Sequence, residues 1–510
     1  MMSKHHRPWS LGMLLLAVSA AWGQDNTAQP PATASPEASP QQPAPAYGPD
    51  NPAPSISDNP PISGVDLPNL EPHAAPLSYI QPGAHVSESV DSNIQNTVGG
   101  SETQSISRAE GSFELHRLWS HYDLSLDYLG GVGYYNVRGL GLKQIEELGF
   151  YQKAVWKRGE LGIRDAFSYQ PEGTFGSAYG SIGTEGAGLG GISAFFGGTA
   201  LGALGQVPRI LNLSLVDVVE TLTPKSSITA TGGYAFVHFL QNEPGTSPSS
   251  SPGSSTPFIG NSQISGQLGY SRVLGPHDQG AIVYGYQGFQ FSTGTTLHSN
   301  LVQLMWGHRI SGRMDFLIGA GPQFVQLDHV LSLVGNPTSA DAIPPCVPAP
   351  TQQDPTAENC PTNDLRISAA GRARLRYQFP KTSLTASYEH YLTAGSGFFA
   401  GAESDIAHVV ATRPLGRVWT VFTDIGYSRN SRVLGSSDQG VAANTYQYGF
   451  AGLGVHRMFG RNFHAFASYQ FNEVAFDSSF CGLSGPCNRI SQRHVGTIGL
   501  DWTPRPIRLD

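Results

Sequence analysis

Leu-Arg-Ile-Ser-Ala-Ala-Gly-Arg-Ala-Arg-Leu-Arg-Tyr-Gln-Phe, residues 365–379, decides the fold. Taken at every second position, it reads Leu365, Ile367, Ala369, Gly371, Ala373, Leu375, Tyr377 and Phe379. The interleaved set is Arg366, Ser368, Ala370, Arg372, Arg374, Arg376 and Gln378. A β-strand sends alternate side chains to opposite faces, so one face here is apolar and the other strongly basic. A soluble sheet would bury the apolar face under a second layer, and the chain offers no obvious helix for that purpose.

The same alternation recurs on both sides of this segment. Residues 122–128 set Tyr122, Leu124, Leu126 and Tyr128 against Asp123, Ser125 and Asp127. Residues 382–390 set Leu384, Ala386 and Tyr388 against Ser383, Thr385, Ser387 and Glu389. Residues 462–472 set Phe463, Ala465, Ala467, Tyr469 and Phe471 against His464, Ser468, Gln470 and Asn472. Dyad repeats with aromatics near their ends are the strand pattern of a membrane barrel. Tight turns near Ser120-His121, Arg158-Gly159, Thr223–Ser226, Gly275–Asp278, Ser311-Gly312, Pro380-Lys381, Pro414–Gly416 and Gly460-Arg461 alternate with longer polar loops at 172–207, 242–260, 330–363, 430–441 and 477–490.

Period-2 runs from residue 105 onward number about seventeen, and Ala84–Asp91 makes about 18, an even count as bacterial barrels have. Segments 84–118 and 402–413 are weakly patterned, so 16 is the nearest alternative. A propeller or solenoid would need a covering layer and a repeated blade or coil, and neither is present. A lipid-facing Arg near the midplane costs ~2–4 kcal/mol, so four in the wrong register would cost on the order of 10 kcal/mol. The basic face therefore belongs inside. The expected fold is all-β: a transmembrane antiparallel up-and-down β-barrel.

Residues 1–23 read as a signal peptide, with Lys4 and Arg7 before the apolar run Leu11–Ala21 and a small-residue cleavage site ahead of Gln24. Residues 24–81 read as a disordered periplasmic segment, with fourteen Pro between 24 and 80 and almost no aromatics. Residues 82–510 form the barrel. Charged residues are 13%, Gly number 61, and the net charge of −8, with no compact basic patch of interleaved aromatics, does not point to a nucleic-acid binder. In an exported chain, four Cys in two close pairs, Cys346 with Cys360 and Cys481 with Cys487, favour disulfides stapling loops over a metal site.

Several features together resemble bacterial outer-membrane β-barrel proteins. They are the leader, the Pro-rich tail, Leu-Thr-Pro-Lys-Ser-Ser-Ile-Thr-Ala (222–230), Phe-Pro-Lys-Thr-Ser-Leu-Thr-Ala-Ser-Tyr (379–388) and a last strand ending Asp-Trp-Thr-Pro-Arg-Pro. The likeness is to the large porin-like barrels of Gram-negative bacteria, some associated with exopolysaccharide export. It implies outer-membrane lipid and the outer-membrane assembly machinery as partners, with passage of polysaccharide or small hydrophilic solutes. One departure is the terminal Ile507-Arg-Leu-Asp510 in place of an aromatic assembly signal, a role that Trp502 could take.

Arg366, Arg372, Arg374 and Arg376 are the candidate lumen and anion-binding residues, since guanidinium groups pair with carboxylate or phosphate. The structural alternative is an ion-pair network with Glu389, Asp424, Asp123 or Asp127, and the two roles are compatible. Loop 172–207 carries twelve Gly with Phe175, Tyr179, Phe195 and Phe196, and could fold into the lumen or form an external flap. His238, His298, His408 and His464 lie singly on strands and read as lumen or interfacial residues. No Gly-x-Ser-x-Gly elbow occurs, so no catalytic residue, cofactor or metal is expected. The competing expectation is a non-conducting surface barrel acting through its outer loops in adhesion or envelope integrity.

Overall fold

The computed structural model describes residues 78–94, 98, 103–136, 141–171, 207–240, 258–333, 347–348, 358–379, 381–395, 397–433, 443–481 and 487–509. In chain order the strands are β1 (Tyr79–Asp91), β2 (Gln104–Leu118), β3 (Tyr122–Tyr135), β4 (Gly141–Trp156), β5 (Gly159–Gln170), β6 (Arg209–Thr223), β7 (Ser226–Phe239), β8 (Asn261–Val273), β9 (Asp278–Phe291) and β10 (Thr296–Ser311). They continue with β11 (Met314–Leu333), β12 (Val347–Pro348), β13 (Glu358–Gln378), β14 (Ser383–Thr393), β15 (Ala402–Leu415), β16 (Trp419–Arg432), β17 (Thr445–Phe459), β18 (Phe463–Phe476), β19 (Ile490–Trp502) and β20 (Ile507–Arg508). β12 and β20 are two-residue pieces, and the other eighteen build the wall.

Each wall strand pairs antiparallel with the next, β11 passing directly to β13. The ring closes where β1 meets β19, from Ala84 opposite Trp502 to Asp91 opposite Val495. Closure is what a bilayer demands, because no water is available there to pair a free sheet edge. No described helix is long and apolar enough to cross a membrane, so strands do the spanning. The expected eighteen-strand barrel is the observed one, and the weakly patterned 402–413 lies within the full strand β15. The first strand begins at Tyr79 rather than at residue 82. Gln81 Nε2 already donates to the carbonyl of Pro504 at 3.0 Å, and Tyr79 pairs with Arg508 of β20, so the wall includes these residues.

The tight connections after β2, β4, β6, β8, β10, β13, β15 and β17 lie at one end, with the start of β1 and the end of β19. The other connections, most of them longer, lie at the opposite end, where a four-residue turn (292–295) joins β9 to β10. In barrels of this class the short turns face the periplasm and the long loops face outward. Trp119, Tyr122, Trp156, Phe379, Trp419, Phe459, Phe463 and Trp502 remain exposed near the short turns and form an aromatic girdle. Above it the outer face presents Val86, Leu142, Ile163, Ile264, Leu304, Ile367, Ile425, Leu453 and Ile498. A closed barrel with this exterior is an outer-membrane architecture.

Pleat alternation sends the other set inward, including Ser299, Gln303 and Gln323, Asn430, Gln470 and Asn472. Three inward Phe rings lie over glycines directly across the ladder. A Cβ at Gly426, Gly454 or Gly499 would fall 2.2, 1.9 or 2.2 Å from a ring atom of Phe450, Phe422 or Phe466. The rings can therefore lie along the wall instead of projecting across the lumen. At the closing seam Arg493 donates from Nε to Asp91 Oδ2 at 2.7 Å and also from Nη2, and both side chains are wholly buried.

Candidate functional site: the inner wall and outer mouth

The basic face of β13 shares its side of the sheet with Leu317, Val325 and Asp315 of β11, all buried, while Ile318 and Phe324 alternate with them on the exposed outer face. The Arg residues therefore stand on the inner side of the pleat, but not as one uniform column. Arg376, near the short-turn end, is buried and donates to Asp315 Oδ2 from Nε at 3.0 Å and Nη2 at 2.8 Å. Arg374 is half-buried between Leu317 and Ser387 in register. Arg372 donates to Gln303 Oε1 at 3.0 Å, with Glu389 opposite it on β14. Arg366 sits where β13 rises past the end of β14, with its side chain 53% exposed, and reaches Glu403 Oε2 at 2.6 Å.

The ion-pair partners expected from sequence are corrected in part. Glu389 lies opposite Arg372 in the β13–β14 register. Asp123 and Asp127 lie on β3, nine strands round an eighteen-strand ring from β13 and so on the opposite wall. Asp123 pairs there with His116 at 2.7 Å. Asp424 on β16 is engaged by His408. Asp315 and Glu403, which the sequence reading did not single out, make the contacts instead. Among the single histidines, His408 and His464 face inward, whereas His238 and His298 face outward, His298 against Tyr286 Oη at 2.9 Å.

Cys481 and Cys487 form a disulfide with a Cα–Cα distance of 5.6 Å, at the end of a 3-10 turn over Ser478–Cys481. Cys346 and the side chain of Cys360 lie outside the described residues, as does nearly all of loop 172–207. Beside the disulfide, Asp477 ties the ends of β17 and β18 together. Its carboxylate accepts from the backbone N–H of Thr445 at 2.7 Å, of Asn444 at 3.0 Å and of Ser479 at 3.0 Å. Burial pushes this carboxyl up, but hydrogen bonds from Ser479 and Thr445 outweigh it and hold the group below the usual aspartate range. A depressed folded value means the clasp is fully present above ~3.9, the ordinary aspartate value, and is lost as pH falls through the lower one. The Thr445 amide resonance is expected to shift with that low value and to lose its pH response in Asp477→Asn.

The segment that shapes the mouth is the β14–β15 connection, residues 394–401 (Ala-Gly-Ser-Gly-Phe-Phe-Ala-Gly). Gly395, Gly397 and Gly401 have φ of 78°, 84° and 87°, which other residues rarely adopt, and they turn the segment inward. The amides of Phe398 and Phe399 donate to Gly395 O, and Ile259 N, at the entry to β8, donates to Gly397 O at 2.9 Å. Ala394 and Ala400 pack with Ile259, Phe289, Phe291, Leu297, Val325 and Leu327 on the β8–β11 wall. Phe398 and Phe399 pack instead with inward residues of β6, β7, β17 and β18.

An aromatic chain follows from this. Ring centroids run Phe239–Phe258 at 5.6 Å, Phe258–Phe398 at 6.0 Å, Phe398–Tyr446 at 5.1 Å and Phe398–Phe476 at 5.5 Å. Phe239 ends β7 and Tyr446 begins β17, and these strands are nine steps apart in a ring of eighteen. The bridge therefore spans the outer mouth, and the Arg432 guanidinium lies over the Phe399 ring, 4.8 Å from its centroid. The sequence reading missed this segment. Its signal was the adjacent pair Phe398-Phe399 between glycines, which breaks strand alternation and makes little sense in a solvated loop.

No protein-family model and no curated protein matches this sequence. Among solved structures, the chain is similar to the ferric-catecholate import receptor Fiu of E. coli K12 at 8% identity and a TM-score of 0.41, covering 83% of this chain and 81% of that one. It is similar to OccK2 (OpdF) of Pseudomonas aeruginosa at 8% identity and a TM-score of 0.37, covering 83% and 98%. The same protein in complex with glucuronate matches with a TM-score of 0.37 and 8% identity, covering 84% and 97%. Likenesses this distant say nothing of what passes through this chain.

Proposed function

We propose that this barrel passes hydrophilic solutes across the outer membrane, with a preference for anions or acidic saccharides. The observation that carries the reading is the set of polar and basic side chains that stands beside apolar clusters on the inner face of an eighteen-strand ring, the strand number of barrels that enclose an aqueous channel. Arg372 and Arg374 supply positive charge part-way along the lumen, and Arg366 supplies it at the rim, where a guanidinium can hold a passing carboxylate weakly. Arg376, bonded twice by Asp315, stiffens the wall. The start of β1 at the short-turn end supports a periplasmic Pro-rich tail, and the place of Cys360 on the part of β13 that rises past β14 supports a second staple, with Cys346, on the outer side.

Planar-bilayer recording tests the proposal. Folded protein should give discrete ion steps, and replacing Arg366, Arg372, Arg374 and Arg376 by Gln should move the reversal potential in a salt gradient away from anion preference. Unchanged reversal potentials would retire the selectivity role. The aromatic bridge across the mouth favours a second reading, a non-conducting barrel that works through its outer loops. That reading stands if neither the native chain nor one with the bridge removed conducts.

A further inference from the structure

We propose that Ser112, His85 and Asp501 form an acyl-transfer site on the inner wall, hydrolysing carboxylic esters of neutral or cationic solutes that reach it through the lumen. The proposal does not depend on how the barrel selects ions. The three residues come from β2, β1 and β19 and meet beside the seam that closes the ring. Asp501 is directly opposite His85 in the β1–β19 register, and Ser112 is opposite Gly83, two residues along β1 on the same inward face. Asp501 Oδ1 lies 3.0 Å from His85 Nδ1, and His85 Nε2 lies 2.8 Å from Ser112 Oγ.

That order assigns the tautomer. With its proton on Nδ1 the ring donates to Asp501, and the Nε2 lone pair is left to accept from the Ser112 hydroxyl. Gly83 makes the approach possible, since a Cβ there would stand 2.3 Å from Ser112 Oγ and 3.4 Å from His85 Nε2. Burial is graded as such a site requires. His85 and Asp501 are 3% and 0% exposed, which fixes the ring against its carboxylate, while Ser112 is only half-buried and remains reachable. Glu110 and Glu114 flank Ser112 on the same face of β2, which disfavours anionic esters.

In the reaction Ser112 Oγ bonds to the ester carbonyl carbon while its proton passes to His85 Nε2. The bond from carbon to the alkoxy oxygen breaks, and that oxygen takes the proton from Nε2. Water then attacks the acyl-serine with His85 again as base, releasing a carboxylic acid and restoring the hydroxyl. Asp501 keeps the ring oriented and offsets the imidazolium charge.

The test uses the full chain folded in detergent micelles, treated with a fluorophosphonate and mapped by peptide mass, alongside release of p-nitrophenol from p-nitrophenyl acetate. The label is expected on Ser112. Ser112→Ala should abolish label and turnover, and Asp501→Asn, nearly identical in shape, should slow both by about 10^4-fold. Heat-modifiable gel mobility establishes that each variant is folded. A folded barrel that leaves Ser112 unlabelled, or that labels it equally with Asp501→Asn, would overturn the proposal and leave a purely structural hydrogen-bonded row.

Discussion

Replacing Phe398 and Phe399 together by Ala is expected to raise the open probability of the barrel sharply. Each buried Phe that becomes Ala costs about 3–5 kcal/mol. Here the loss falls on docking of the 394–401 segment rather than on the wall, because these rings bridge to Tyr446, Phe476 and Phe258 and do not belong to a ladder. At about 1.4 kcal/mol per tenfold, even one ring corresponds to a hundredfold to few-thousandfold shift toward the undocked segment. The measurement is single-channel recording of native and doubly substituted protein at equal folded fraction. Equal conductance and dwell times would show that the aromatic bridge is no barrier.

The second large effect lies at the closing seam. Asp91→Ala leaves the buried Arg493 guanidinium without its carboxylate, and breaking one side of a buried pair costs about 3–5 kcal/mol. Replacing both Asp91 and Arg493 by Leu should recover most of that loss, because two apolar side chains carry no desolvation penalty. Guanidinium unfolding in micelles, followed by heat-modifiable mobility, reads both. A single variant as stable as the native chain would mean that the seam is held by its backbone ladder alone.

Much of the architecture was legible in the sequence for a simple reason. Alternation along 365–379, 122–128 and 462–472 is local, so each strand declares its two faces without help from its neighbours. Turn chemistry such as Pro380-Lys381 and Gly460-Arg461 is local too, and it marked the tight connections at one end, though not the four-residue turn between β9 and β10 at the other. What was hidden depends on distance across the ring. Asp315 is 61 residues from Arg376 in sequence and is its partner because β11 passes directly to β13. Asp123 and Asp127 carried the right charge on the wrong wall. Ser112, His85 and Asp501 carry no shared motif and become neighbours only when β19 docks on β1. The glycines of 394–401 looked like ordinary loop residues until their positive φ values turned two Phe rings inward.

The pairing of β1 with β19 also bears on how the molecule comes to exist. Ala84 and Trp502 are 418 residues apart, so the contact that finishes the structure joins the earliest and latest strands to leave the ribosome. Contacts of such long range are slow to form, and until this one is made both terminal strands expose unpaired backbone that invites aggregation. A chain built this way stays vulnerable to misassociation for as long as its two free margins wait to be zipped together.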